Sequence, residues 1–364
     1  MTSKRVAILG GGAGGRTAAV EIGLRGHHVV LADHPDFASG LAGIREEGKL
    51  HAEGAVSGTV AVEVAPDVAS AVVGADICLI VVPTVHQRLF ADLVAPAAEE
   101  GMTFALMPGS LGSLDFHSRL RQLGVDVDLN LAEMAALPYA TRITGPTTLK
   151  VFGRRKYVQA GVFPADRSGQ LEPLLADIYP GIKILGNVLE AGLNNPNPTL
   201  HCLGVLLSAS RIEYSHGEFY YYEEGMTPHV CRAIEAIDAE RIAIGRAFGC
   251  DILSLKDTYP TMGYGPRGDS FWSVIRGVAA LNGIKGPSEI DSRYLTEDVP
   301  IGLTIYSELA AVAGVPTPLM TSVVAIAGAL LDTDWQPQAR TLARCGIDGL
   351  DTQQVLQYVG SGVR

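Results

Sequence analysis

The sequence predicts an α/β domain with a doubly wound, mostly parallel sheet, followed by an all-α domain. Three observations predict this. The 364 residues exceed what one hydrophobic core normally organises, so two domains are expected. Short apolar strands alternate with helix-length segments through the first half, which is the periodicity of βαβ units. From about Gly186 that alternation gives way to longer helical periods. The boundary is drawn near 187, at the start of NVLEAGLNNPNP, giving domains of 1–187 and 188–364.

The first element is the apolar strand Arg5 to Leu9, RVAIL. It runs into Gly10-Gly11-Gly12-Ala13-Gly14-Gly15 and then a helix-like segment to Gly26. A second strand, His27 to Ala32, ends at Asp33. Gly10, Gly12 and Gly15 form the pattern G-x-G-x-x-G. At the first position a tight turn needs glycine, and at the second the backbone must approach a pyrophosphate. At the third, helix and strand must pack closely, and the helix N-terminus then favours phosphate charge. Asp33 falls near the expected offset of about 20 residues from the loop. The expected ligand is therefore a dinucleotide held by Gly10, Gly12, Ala13, Gly14, Gly15 and Asp33. A carboxylate there accepts hydrogen bonds from ribose hydroxyls and repels a 2′-phosphate. NAD(H) is thus preferred, while the neighbouring His34 keeps NADP(H) open.

Further strands are expected at Ala61–Val64, Ile77–Val82, Thr103–Met107 and Asp126–Leu131, with one more over Tyr157–Pro164. Two loops follow strands at the end where ligands sit in such sheets. These are Pro83-Thr84-Val85-His86 and Pro108-Gly109-Ser110-Leu111-Gly112. Their small residues suit a nicotinamide ribose, which places Pro83 among the cofactor contacts, although plain turn chemistry explains them equally well.

In the second half, Ala233, Ile234, Ile237, Ala243, Ile244 and Phe248 fit one buried helical face. The stretch NPNPTLHCLGVLLSASRIE opens another helix, with Asn197 suited to the N-cap and Pro198 to the first turn. His201 shares a face with Asn197, and Gly204 and Ser208 continue this narrow polar, small-residue seam. Leu203, Leu206 and Leu207 form the opposite, apolar side. A histidine there is either a satisfied core residue or a proton donor beside the dinucleotide site. A carboxylate would orient it; the residues alone do not separate Asp298 from Glu297, Asp291 or Glu289. The run Phe219-Tyr220-Tyr221-Tyr222 reads more readily as core than as pocket wall.

Composition limits the partners. Hydrophobic residues make up 47% and charged residues 18%, with a formal charge of -11. Nucleic acid and anionic membrane surfaces demand the opposite sign, so neither is an expected partner. The apolar region Leu303 to Leu331 contains Glu308, Pro316 and Pro318, and reads as two helices rather than a membrane span. The chain passes from Met1 directly into a strand without a signal peptide. Its five cysteines include no CxxC pair and read as reduced core thiols, so no metal site is expected and the location is cytoplasmic. The expected partners are small-molecule substrates, and the apolar C-terminal helices would suit a homodimer.

Five segments together resemble the octopine/nopaline (opine) dehydrogenase family. They are GGGAGG with Asp33; EMAALPYATRITG from Glu133; NPNPTLH with Asn197 and His201; FYYYEEGMTP from Phe219; and RYLTEDVP from Arg293 to Pro300. They occur in order along nearly the whole chain. The resemblance implies an N-terminal Rossmann domain, a helical C-terminal domain and an active site between them. It implies NAD(P)H-dependent condensation of an amino acid with an α-keto acid, often pyruvate, to an N-(1-carboxyalkyl) amino acid. By motif, His201 resembles the general acid/base and Asp298 its orienting carboxylate. Arg293 resembles the group that meets the keto-acid carboxylate, Asn197 the polar residue beside the histidine, and Glu133 an acid that helps hold the amino substrate.

Two other readings share the fold. A 2-keto acid or hydroxy acid dehydrogenase of the two-domain 6-phosphogluconate type would place a lysine on the helix entering the second domain. That position holds Asn197 and His201, and no lysine lies between Lys183 and Lys256. A non-catalytic NAD sensor would bind cofactor without turnover.

Overall fold

A computed structural model of the chain describes residues 2–364. The strands, in chain order, are β1 (Arg5–Leu9), β2 (His28–Ala32), β3 (Lys49–Gly54), β4 (Gly58–Ala61), β5 (Glu63–Val64) and β6 (Ile77–Ile80). They continue as β7 (Thr103–Leu106), β8 (Asn130–Met134), β9 (Tyr139–Gly145), β10 (Thr148–Arg154), β11 (Val158–Phe163) and β12 (Ile182–Ile184). Eight form one sheet in the order β12-β11-β8-β7-β6-β1-β2-β5. All its pairs are parallel except β11 with β8. The α/β class and the doubly wound, mostly parallel sheet are thus those the sequence predicts. β1, β6 and β7 read as near-continuous apolar runs, and almost every residue in them is buried. Helices cover both faces of such a sheet, so no strand face needs polar residues.

The chain winds from β1 to β2 and β5 on one side, and from β6 to β7 and β8 on the other. The direction reverses between β1 and β6. The crevice at the carboxyl ends of these strands is where doubly wound sheets bind ligands.

Three features depart from the expectation. The strand expected over Ala61–Val64 is divided: β4 ends at Ala61 in one sheet, and β5, Glu63–Val64, belongs to another. The strand expected over Asp126–Leu131 lies at Asn130–Met134. Asp126 is exposed, and the strand instead runs on through Glu133, whose charge masks it in a hydropathy reading. A second, four-stranded sheet, β4-β3-β10-β9, was not expected. Its alternation is visible in hindsight: Leu50 and Ala52 are buried while Lys49 and Glu53 face outward.

The chain divides into two compact units. The first runs to Gly192 and takes back Val359–Gly362; the second holds Leu193–Tyr358 and the last two residues. The boundary expected at 187 falls just inside the first unit. The second unit is helical, with a single isolated bridge, Tyr220 to Lys285, among the described residues. In its long helix Pro228–Ala247, Ile234, Ile237 and Ile244 are buried, as is Phe248 at its C-cap, as the periodicity indicated; Ala233 and Ala243 of the expected face are only half-buried. The same face buries Arg241, which pairs with Asp238 at 2.6 Å and donates to the carbonyls of Leu193 and Leu253. This sidedness is what an ion pair needs to be tolerated in a core: every strong donor has an acceptor.

Candidate functional site

In the first unit, a cleft of about 550 Å³ opens at the switch point. Its walls come from the loops after β1 (Gly10, Gly11, Gly12), β2 (Asp33, His34, Phe37) and β6 (Val81, Val82, Pro83). Gly10 has φ +117°, and a Cβ there would meet the Val81 carbonyl oxygen at 2.4 Å. A Cβ on Gly15 would lie 1.9 Å from the carbonyl oxygen of Gly10, so the first helix can approach β1 only with glycine at that point. Gly12 differs: nothing lies within 4 Å of its would-be Cβ. No protein contact explains a glycine there, whereas a ligand backed against the loop does. Gly12 also N-caps the helix Ala13–Leu24 with no side-chain acceptor for the first N–H groups. An uncapped helix start facing a cleft is an anion site. These features fit a dinucleotide pyrophosphate. Of the remaining predicted residues, Ala13 begins the helix, and Gly14 packs against Leu137 and Val81 instead of lining the cleft.

Asp33 closes the far side of the glycine loop. One carboxylate oxygen accepts the Gly11 N–H and the other the His34 N–H, each at 2.8 Å. The carboxylate is therefore held in place yet remains partly exposed to the cleft. Arg16 escaped the sequence reading. It is 5% exposed and donates at 2.7 Å to each of the carbonyls of Gly11, Gly40 and Pro146. It ties the glycine loop to two neighbouring segments. The available signal was a charged residue directly after the glycines, where the helix buries its sheet-facing side.

Glu133 behaves differently from the substrate contact expected of it. It is fully buried in β8. Its carboxylate accepts the Leu111 N–H at 2.8 Å, the Ser113 N–H at 3.0 Å and the Ser113 hydroxyl at 2.5 Å. Ser110 and Leu111 have φ of +52° and +65°, a left-handed backbone that costs a non-glycine residue about 1 kcal/mol or more. Glu133 pins this strained loop after β7.

The second unit brings the remaining predicted residues close together. His201 lies on the helix Asn197–Leu207, and its Nδ1 is 2.8 Å from Asp298 Oδ2. Asp298 directly precedes a π-helical turn, Val299–Leu303. Such turns are uncommon and recur at functional sites. Of the four acids the sequence left open, Glu289 and Asp291 are exposed and Glu297 turns to Arg293, leaving Asp298 on the histidine. Burial pushes the Asp298 carboxyl above the usual carboxylate range, against the opposing pull of His201. His201 also stacks on Tyr294, with ring centroids 4.2 Å apart and 25° between planes. Its Nε2 lies 3.4 Å from the Tyr222 hydroxyl.

Arg293, on the short helix Arg293–Thr296, donates from Nε and Nη2 to Glu297 Oε2. Its side chain is 70% exposed. Asn197 is the first helical residue rather than the N-cap, which is Pro196; its N–H donates to Asn195 Oδ1 at 3.1 Å. The orientation of this helix departs only in part from the expected one, since Asn197, His201, Leu203 and Leu206 are all half-buried. Gly204 and Ser208 are buried, while Leu207 is 52% exposed. A Cβ on Gly204 would meet the Tyr221 hydroxyl at 2.3 Å, so the small-residue seam is the groove that receives the tyrosine run. Phe219, Tyr221 and Tyr222 are core, as read; Tyr220 is 45% exposed.

Among the described residues, no cluster of His, Cys, Asp and Glu is placed to hold a metal ion, and no helix is long and apolar enough to cross a membrane.

Residues 184–331 match the family described as NAD/NADP octopine/nopaline dehydrogenase, alpha-helical domain. An opine dehydrogenase from Arthrobacter sp. (strain 1C) is 34% identical over 96% of both chains. Solved structures of the same fold include octopine dehydrogenase with NADH and L-arginine, at TM-score 0.76, 19% identity and coverage of 100% and 99% of the two chains. Another is yersinopine dehydrogenase with NADP+ bound, at TM-score 0.70, 15% identity and 98% coverage of each. With identity at this level along nearly its full length, the chain belongs to the octopine/nopaline (opine) dehydrogenase family, a family of NAD(P)-dependent dehydrogenases.

Proposed function

We propose that the protein reductively condenses the amino group of an amino acid with an α-keto acid such as pyruvate, using NADH in preference to NADPH. The observation that carries this reading is the His201–Asp298 pair at 2.8 Å. An imidazole held by a carboxylate through Nδ1 presents Nε2 as a proton donor or acceptor. Its position in a chain with a dinucleotide cleft supports an acid/base role over a core role.

Amine and keto acid first form a carbinolamine. His201 then protonates its oxygen from Nε2, water leaves and a protonated imine forms, with the nitrogen keeping its proton. Asp298 keeps the Nδ1 proton, fixes the ring's orientation and stabilises the imidazolium. A nicotinamide cofactor held at the glycine loop and Asp33 would supply the hydride that reduces the imine carbon. Arg293 holds the keto-acid carboxylate, since guanidinium and carboxylate pair bidentately. Its bonds to Glu297 mean that the substrate shares or displaces that partner. Asn197, the partly exposed residue one helical turn before His201, is placed to contact the substrate beside it. Glu133 acts by holding residues 111–113. Asp33 accepts from the ribose hydroxyls and disfavours a 2′-phosphate, which supports the NADH preference.

The test is NADH consumption with pyruvate and a panel of amino acids, with pyruvate-only controls and NADPH in parallel. Consumption that requires both carbon and nitrogen substrates is the expected result. Consumption with the keto acid alone would make the protein a simple keto-acid reductase and overturn the proposal.

A further inference from the structure

His201 is held on three sides, and only one of them, Asp298, belongs to the acid/base reading. Asp298 takes Nδ1 and Tyr294 covers one ring face. The third contact is Tyr222, whose hydroxyl lies 3.4 Å from Nε2, the nitrogen that must reach substrate.

Tyr222 is placed there by a dedicated arrangement. It lies in a second π-helical turn, Tyr221–Gly225. Tyr221 meets it edge-on, with centroids 5.0 Å apart and 86° between planes. The Tyr221 hydroxyl donates to the His201 carbonyl at 3.3 Å, seated in the notch that Gly204 leaves open. The tyrosine pair is thus fastened to the same helical turn as the imidazole. A carboxylate on Nδ1 makes that nitrogen the donor, so in the neutral ring Nε2 accepts. A hydroxyl can donate to the neutral ring and accept from the protonated one, which no methyl, amide or carboxylate does equally well. At 3.4 Å the bond is long, and a substrate oxygen would displace it easily.

We infer that Tyr222 is a positioning residue of the dyad: its hydroxyl caps His201 Nε2 between turnovers and yields that nitrogen to the substrate oxygen during turnover. This rests on the acid/base role proposed for His201. Around the imidazole and Tyr222, the other ionisable groups are Asp298, Cys202, Tyr221 and Tyr294, the last also hydrogen-bonded to the Tyr222 hydroxyl, with Tyr259 beside the tyrosine pair and the Arg293–Glu297 pair behind Asp298. Burial pushes Tyr221, Tyr222 and Cys202 well above their ordinary values. Their hydroxyl and thiol protons therefore stay in place through the neutral range.

The test is Tyr222→Phe, which keeps the ring and removes the hydroxyl. The pH profile of kcat/KM reports the free enzyme, and that of kcat the substrate complex. A hydroxyl stabilises the charged ring more than the neutral one. The basic limb of kcat/KM should therefore move down by about 0.5 pH unit, while the profile of kcat stays put. Replacing Tyr222 alone by 3-fluorotyrosine, a poorer acceptor of nearly the same shape, should move the limb in the same direction. This covers a Phe variant that fails to fold. Unmoved profiles in variants that still turn over would overturn the inference and leave the proposed reaction intact. Absence of turnover in the unaltered enzyme would instead remove the proposed reaction itself, and the inference with it.

Discussion

His201 and Asp298 stand 97 residues apart in the chain and 2.8 Å apart in the fold. Burial raises the Asp298 carboxyl above its ordinary value. A carboxyl raised in the folded state favours folding below its unfolded value and loses that contribution as pH rises through the folded value. Above that folded value its charge is a stability cost, kept for orientation. Asp298→Asn should lower kcat by about 10²–10⁴-fold, leave NADH affinity nearly unchanged, and hold or raise the melting temperature at pH 7. A marked loss of NADH binding would contradict the orienting role.

The two glycines at either end of the loop's last turn should fail differently. Gly15→Ala forces a Cβ into the Gly10 carbonyl and should destabilise by about 1–3 kcal/mol. Gly12→Ala meets no protein atom within 4 Å, so it should fold nearly normally but bind NADH roughly tenfold or more weakly, a loss of about 1.4 kcal/mol or more. Calorimetry and cofactor titration on both variants separate the cases. Equal NADH affinity in Gly12→Ala would remove the pyrophosphate from that position.

Glu133 can act through the loop it holds or on the substrate directly, and stability separates the two. Glu133→Ala strands the Leu111 and Ser113 donors and should destabilise by something on the order of 2–3 kcal/mol. A substrate-binding residue would instead raise the amino-acid KM at unchanged stability.

His117 sets a pH limit on the first unit. Burial is the main cause that pushes its value from 6.5 down to about 4, aided by Arg121 and opposed by Asp128 and Asp126. The unfolded chain then binds this proton first. The stability this histidine supports is present above about pH 6.5 and is lost as pH falls toward about 4. The loss reaches an order of 3 kcal/mol below that range. His117→Phe, which can keep the edge contact with Phe163, should flatten this part of the stability profile measured by denaturant titration.

Local patterns read well where one residue type answers one physical need. The runs of β1, β6 and β7 are apolar because both sheet faces are covered, and the glycine loop carries its spacing openly. Reading failed where a distant segment decides. Nothing near Asn197 says that Tyr221 will fill the groove at Gly204 and turn Leu207 outward. The i,i+4 spacing of Arg293 and Glu297 is a local signal for their pairing, but nothing near Asp298 says that it faces His201, 97 residues away. Glu133 stands out only through the family resemblance; no local pattern says that it accepts from the backbone of the loop at Ser110 and Leu111.

The central claim is that hydride reaches a carbon already bonded to nitrogen. Reaction with pyruvate, the amino acid that supports turnover and NADH deuterated at the transferred position tests it most directly, with products resolved by mass spectrometry and NMR. Deuterium on the former keto carbon of a secondary amine, with no labelled lactate, is the predicted result. Deuterated lactate with unreacted amino acid would contradict the account.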